Sequence, residues 1–121
     1  MFVNLSNHPS NKWNDEQLDA AVKLAGKVVD YPFPDVSPMW SVEKIRQVAV
    51  EIVSDILFKY DRENLVVHVA GEFTLCFAIV SYLQSRGVRC VASCTFRQVE
   101  DKADGSKLSV FKFIQFREYT L

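Results

Sequence analysis

The stretch Leu65-Val66-Val67-His68-Val69-Ala70, followed by Gly71-Glu72-Phe73-Thr74, decides the fold. Its first six residues form an almost unbroken apolar run rich in β-branched side chains. That is the pattern of a strand covered on both faces, as in a parallel sheet. Gly71 breaks the run. From Leu75 to Ser85 the chain is apolar nearly all round, which predicts a helix packed deep and closed by Gly87. Val88 to Ser93 supplies the next strand. A buried strand, a helix and a second buried strand make a βαβ unit, whose crossover is right-handed.

Reading towards the N-terminus gives the same alternation. Helix is predicted from Ser41 to Phe58, where Val42, Ile45, Val48, Ala49, Ile52, Val53, Ile56 and Leu57 form one apolar stripe. Three prolines, Pro32, Pro34 and Pro38, exclude helix and interior strand just before it. Lys27 to Tyr31 is a short strand. Leu18, Ala21, Val22 and Ala25 keep helical spacing behind Asn14 and Gln17, which resemble a capping box, and Gly26 stops that helix. Phe2 to Leu5 is the first strand.

Towards the C-terminus, Phe96 to Lys102 and Leu108 to Tyr119 flank Ala103-Asp104-Gly105-Ser106, where Asp-Gly signals a hairpin. The expected architecture is therefore α/β: a Rossmann-like three-layer domain over residues 1–121. Its sheet is mostly parallel, with the Leu65–Ala70 strand central and an antiparallel C-terminal hairpin at one edge.

Composition excludes several classes. The chain has 121 residues, one domain's length, with 49% hydrophobic and 24% charged residues, as in a globular fold. Lys and Arg number 14 against 15 Asp and Glu, so no broad basic surface for long duplex nucleic acid is expected. No apolar stretch is long enough for a membrane span, and no basic-then-apolar leader is read at the start. Cys76, Cys90 and Cys94, three in number and set in apolar runs, read as buried reduced thiols of a cytoplasmic protein. No Cys/His cluster suggests a metal, no glycine fingerprint suggests a dinucleotide cofactor, and no phosphate-loop or serine-elbow motif is present.

In an open parallel sheet, ligands bind beyond the carboxyl ends of the strands. Three loops at that end are polar. The first carries Asn7, His8 and Lys12, the third Gly71, Glu72 and Thr74, and the fourth Thr95 and Arg97. His8 and Glu72 are the candidates for proton transfer, His8 because it lies among polar neighbours in a loop. Asn7, Lys12, Gly71, Thr74, Thr95 and Arg97 are candidates for ligand binding. Gly71 and Thr74 open a helix whose first turn favours an anion, although a turn alone also explains the glycine. Lys12 and Arg97 are the cations suited to phosphate. Trp13 suits base stacking or a hydrophobic staple equally. His68, mid-strand between valines, reads as a core residue.

Four segments carry a family resemblance: Asn4-Leu5-Ser6-Asn7-His8-Pro9, Gly71-Glu72-Phe73-Thr74, Ala92-Ser93-Cys94-Thr95-Phe96-Arg97, and Phe113-Ile114-Gln115-Phe116-Arg117-Glu118-Tyr119. In these the chain resembles a group of small CRISPR-associated accessory proteins. They are single-domain relatives of the CRISPR-associated Rossmann fold that senses cyclic oligoadenylates. The resemblance implies a homodimer with a cyclic oligoadenylate bound across its two-fold axis. It implies either a ring nuclease or a module that binds the messenger without cutting it. The cut would use the ribose 2′-hydroxyl, need no metal or other cofactor, and leave a 2′,3′-cyclic phosphate. By position, the first loop and the Gly71–Thr74 turn match the ligand-contacting segments of that group.

Overall fold

The computed structural model describes residues 1–121. Strand β1 (Phe2–Ser6) leads through a 3-10 turn (Ser10–Lys12) to helix α1 (Asp15–Ala25) and strand β2 (Val28–Pro32). Helix α2 (Val42–Lys59), strand β3 (Val66–Val69) and helix α3 (Phe73–Ser85) follow. Strands β4 (Arg89–Asp101) and β5 (Lys107–Glu118) close the chain. The sheet order is β2-β1-β3-β4-β5, so β3 is central as expected and β5 lies at one edge. β1 runs parallel to β2 and β3, β3 parallel to β4, and β4 antiparallel to β5.

Local chemistry fixes the element ends. Asn14 accepts a hydrogen bond from the Gln17 backbone N–H at 2.9 Å, and Ser41 accepts from the Lys44 N–H at 3.1 Å. Each satisfies a donor that the first helical turn leaves without a partner. The Gly105 backbone, at φ 84°, makes the hairpin turn that a side chain would strain.

Strand alternation divides the core into two layers. Val3, Leu5, Val67, Val69 and Cys90 face α2 and α3, where they meet Ile52, Ile56, Leu75, Ile79 and Leu83. Each of these larger side chains contributes about 1.5–3 kcal/mol on burial. The other face of the sheet carries Phe2, Val66 and Val91, which pack with Trp13 and Ala21 beneath α1. One helix on one face and two on the other make the three layers.

The structure corrects the sequence reading in three places. The Val88–Ser93 strand and the first hairpin arm are one strand, β4, of 13 residues. Only Arg89, Cys90 and Val91 pair with β3, and the remainder pairs with β5 alone as an arm beyond the sheet. The register between the two shifts at Cys94 and Thr95, which leaves Ile114 as the extra residue of a bulge. Helix α3 is not buried all round. Phe73 and Phe77 are 89% and 76% exposed, because only one side of α3 meets the sheet and α2. Of the three thiols, Cys76 and Cys90 are buried but Cys94 is half-buried, since it lies where the arm leaves the sheet.

Gly71 has a steric reason. A Cβ there would come within 2.5 Å of the Phe33 ring, and that ring is itself buried. Phe33 comes from the proline segment after β2, so Gly71 is what lets this segment close over the end of β3. Gly71→Ala is expected to lower stability by about 1–3 kcal/mol through overpacking. Phe33→Leu, which removes the clashing ring atoms, should recover part of that loss in the double variant. Urea unfolding of the two single variants and the double variant checks this, and additive losses would refute the contact.

Candidate functional site

A cleft of about 630 Å³ opens at the carboxyl ends of β1 and β3. The topology requires a crevice there. From β1 the chain crosses to β2 on one side, whereas β3 lies on the other, so the loops after β1 and β3 diverge. Asn7, His8 and Lys12 line one side and Gly71 the floor. Ser93 and Thr95 of β4, with Phe111 and Phe113 of β5, form the wall that the arm provides.

Beneath this cleft lies a network of buried polar groups. Four polar side chains of the chain are buried, Asn4, Ser6, Gln17 and His68, and all four belong to it. The parallel register sets Asp30, Asn4 and His68 side by side in one row across β2, β1 and β3. The Asn4 Nδ2 group donates to Asp30 Oδ1 at 2.9 Å and to the His8 carbonyl at 2.9 Å. This fixes Asn4 Oδ1 as the acceptor, which takes the Ser6 hydroxyl at 2.7 Å and lies 2.8 Å from His68 Nδ1. Nδ1 therefore carries the ring proton. His68 Nε2, left with its lone pair, accepts the Ser93 hydroxyl at 2.8 Å. Gln17 Nε2 donates to the same Ser93 oxygen at 3.3 Å. No buried side-chain nitrogen or oxygen in the chain lacks a partner.

Aromatic rings close the network off from water. Phe2 stacks on His68 with centroids 6.3 Å apart, while Trp13 and Phe116 meet it edge-on at 5.8 and 5.5 Å. Burial, with a smaller contribution from nearby His8, pushes the His68 imidazole down to about 4. Its neutral form, lone pair towards Ser93, is thus the resting form at neutral pH.

The residues singled out in the sequence divide. Asn7, His8, Lys12, Gly71 and Thr95 line the one cleft. Glu72, Thr74 and Arg97 do not. The Glu72 carboxylate caps α3, accepting from the Thr74 N–H at 3.0 Å and the Leu75 N–H at 2.8 Å. The Thr74 hydroxyl turns back to that carboxylate at 2.7 Å. These bonds hold the Glu72 carboxyl below its ordinary value, the one to the Thr74 hydroxyl most. The anion-favouring end of α3 is filled by the chain's own carboxylate. Arg97 lies out on the arm and donates to the Ser109 hydroxyl across the hairpin at 3.0 Å. Trp13 is buried, with its Nε1 donating to the His8 carbonyl at 3.1 Å.

Asn4, Asp30, Ser93 and Gln17 are not among the sequence candidates, whereas His68, read as a core residue, is indeed buried. A signal for two of them exists: Asn4 and His68 are single polar residues inside strands otherwise made of buried apolar side chains. A second recess, between α2 and α3, is lined by Trp40, Val42, Phe73 and Phe77 and is mainly apolar. It holds no comparable polar network. Nowhere do three His, Cys, Asp or Glu side chains converge as metal ligands do. No helix is long and apolar enough to cross a membrane.

An open parallel sheet with a polar cleft at its switch point makes this a three-layer α/β protein. Its strand order is that of flavodoxin-like sheets, with the last strand reversed. The model of the family described as the uncharacterized protein MJ1673 family matches residues 1–117, and the chain belongs to that family. No curated protein and no solved structure matches it.

The depressed His68 value sets a pH window for stability. The ordinary value is 6.5 and the folded value about 4, so as pH falls the unfolded chain takes up this proton first. The stability from the neutral ring is complete above about pH 6.5 and is lost between there and pH 4, by about 3 kcal/mol. The carboxylates of Asp55, Glu72 and Asp104, all lowered, begin to add their own losses only at the acid end of that window and below it. Urea unfolding at about pH 7 and pH 4.5 should show the loss in the wild type and a flatter response in His68→Gln.

Proposed function

We propose that this protein binds a cyclic oligoadenylate second messenger of CRISPR antiviral signalling in the cytoplasm, and cuts it without a metal through the ribose 2′-hydroxyl. The observation that carries this reading is the cleft at the switch point. Asn7, His8 and Lys12 reach it from one loop, and Ser93 and Thr95 reach it from strand β4 on the opposite side. Lys12 supplies a positive charge for phosphate, Asn7 and Thr95 supply donors, and the exposed Phe111 ring offers a face for a base. His8 stands in the same cleft as a proton donor or acceptor.

A second reading, binding without cleavage, is favoured by Glu72. Its carboxylate is committed to capping α3, so only one of the two residues expected to move protons faces the cleft.

A homodimer belongs to the proposal. The arm of β4 and β5 leaves Phe96, Val99, Leu108, Val110 and Phe111 exposed on a two-stranded ribbon with no sheet beside it. Ribbons of this kind gain stability when a further surface covers them, and a two-fold axis suits a symmetric ring. Sedimentation should give a dimer at micromolar concentration, and a monomer there would count against a site shared by two subunits.

Titration with cyclic oligoadenylates of several ring sizes, followed by chromatography of the products, tests the ligand and the reaction together. Lys12→Ala should weaken binding by about 1.5–3 kcal/mol, the range for a charged hydrogen bond. His8→Ala should leave binding nearly intact and slow cleavage about a hundredfold. Failure of the wild type to bind any ring at micromolar concentration would refute the proposal. Tight binding with the ring left whole would leave the non-catalytic reading standing.

A further inference from the structure

We infer that Ser93 is the group that takes the proton from the attacking ribose 2′-hydroxyl, and that His68 behind it receives that proton in turn. This rests on the reading of the cleft as a cyclic oligonucleotide site and names the base that the reading lacks.

The geometry is that of a hydroxyl activated by an oriented imidazole. The Ser93 Oγ is 2.8 Å from His68 Nε2, and Nδ1 on the far side of the ring is 2.8 Å from Asn4 Oδ1. Asn4 is held in turn by Asp30. A nucleophile or base backed by imidazole, which a third group orients, is the arrangement that moves protons in many active sites. Ser93 is half-buried and lines the cleft, so it is within reach of a ligand there, while the imidazole is 3% exposed. Burial keeps the ring neutral at rest with Nε2 free to accept, and the Asn4–Asp30 pair on Nδ1 offsets what burial costs the imidazolium that the step forms. The charged and titratable groups that face the ring are His8 from the β1 loop and Asp30, acting through Asn4, from β2. From α1 and β4 it meets only the neutral Gln17–Ser93 pair.

The step balances as follows. The 2′-oxygen forms its bond to phosphorus as its proton passes to Ser93 Oγ and the Ser93 proton passes to His68 Nε2. The bond from phosphorus to the 5′-oxygen breaks, and that oxygen takes the proton of a protonated His8. The products are a 2′,3′-cyclic phosphate and a 5′-hydroxyl, with no metal and no covalent enzyme intermediate. His68 now carries one proton more and His8 one fewer; His68 returns its proton through Ser93 to water in the cleft, and the same water restores His8. The imidazolium keeps its Nδ1–H bond to Asn4, and the Asp30 carboxylate behind Asn4 stabilises the new charge. Ser93 is a catalytic residue in this scheme, and His68, acting through it, a positioning residue.

The test is single-turnover cleavage of a labelled cyclic oligoadenylate in the presence of a chelator, with binding measured separately by calorimetry and stability by thermal melts. The variants are Ser93→Ala, Ser93→Thr, His68→Gln and the Ser93→Ala/His68→Gln double. Ser93→Ala should bind within about twofold of wild type and cleave at least about a hundredfold more slowly. Ser93→Thr, which keeps the hydroxyl, should recover most of the rate. The double variant should be no slower than Ser93→Ala, because the two act as one unit. A purely structural role for the pair predicts instead additive losses that track the melts. If His68→Gln does not fold, the comparison of Ser93→Ala with Ser93→Thr decides alone. Cleavage by Ser93→Ala at the wild-type rate overturns the inference and leaves the ligand assignment intact, as does a wild type that binds the ring and leaves it whole. A wild type that binds no ring overturns both.

Discussion

The register between β1 and its two parallel neighbours is the constraint on which the site depends. It puts Asp30, Asn4 and His68 in one row, so that three polar side chains meet inside a face otherwise filled by Phe2, Val66 and Val91. A buried polar group without a partner costs about 1–3 kcal/mol, so the buried Asn4 and His68 need each other, and Asn4 needs the exposed Asp30 at its amide. A slip of one residue between β1 and β3 would carry Asn4 away from His68 and turn Val3 and Leu5 out of their core. The apolar pattern and the polar row therefore demand the same register. The row also ties the cleft loop to the sheet. The Asn4 amide that orients His68 donates to the His8 carbonyl as well, and Asp30 accepts the Ser10 N–H and hydroxyl, both at 3.0 Å.

The arm completes the cleft from the other side. β4 continues past the ends of β1 and β3, so Ser93 and Thr95 stand beyond the last row of the parallel sheet. The bulge at Ile114 resets the alternation on β5 at this point. Phe116, on the sheet side of the bulge, packs against Phe2 and His68, and Phe113, on the arm side, stays buried against Phe116 at 4.9 Å. Tyr119 fastens the end of β5 to the centre of the sheet, with its hydroxyl donating to the Val69 carbonyl at 2.8 Å. One wall of the cleft is thereby anchored to β3, the strand that carries the imidazole.

Most of this architecture is legible in the sequence, because the signals for it are local. Valine runs, apolar stripes, the capping pair Asn14 and Gln17, and the Asp-Gly turn each act over a few neighbouring positions, and every element but β4 lies close to where they place it. The long β4 was missed because nothing between Ser93 and Phe96 marks continuity, and only pairing with β5 supplies it. The exposed side of α3 was missed because periodicity reports which residues are apolar and not how much surface the rest of the fold can cover. For the site, the loops after β1, β3 and β4 are legible as a group, since parallel strands send them to one end. The network is not. Positions 4, 30, 68 and 93 belong to four strands, and no spacing along the chain relates them. Glu72 and Thr74 misled for a local reason: a carboxylate at the start of a helix satisfies that helix before it serves a ligand.

The buried network contributes little to stability for the groups it commits. Hydrogen bonds exchanged with water are worth about 1 kcal/mol each, and the desolvation of an imidazole and two amides offsets much of that sum. A β3 made wholly of valine would fill the same space beneath α1 without needing partners on β1, β2 and β4. What the polar row provides and valine cannot is direction. Asn4 leaves one ring nitrogen of His68 bare, and the aromatic rings around it keep that nitrogen neutral. Strand β4 then sets a half-buried hydroxyl against it at the edge of the cleft. A core that only had to be stable would not require the tautomer of one histidine to be fixed through three strands.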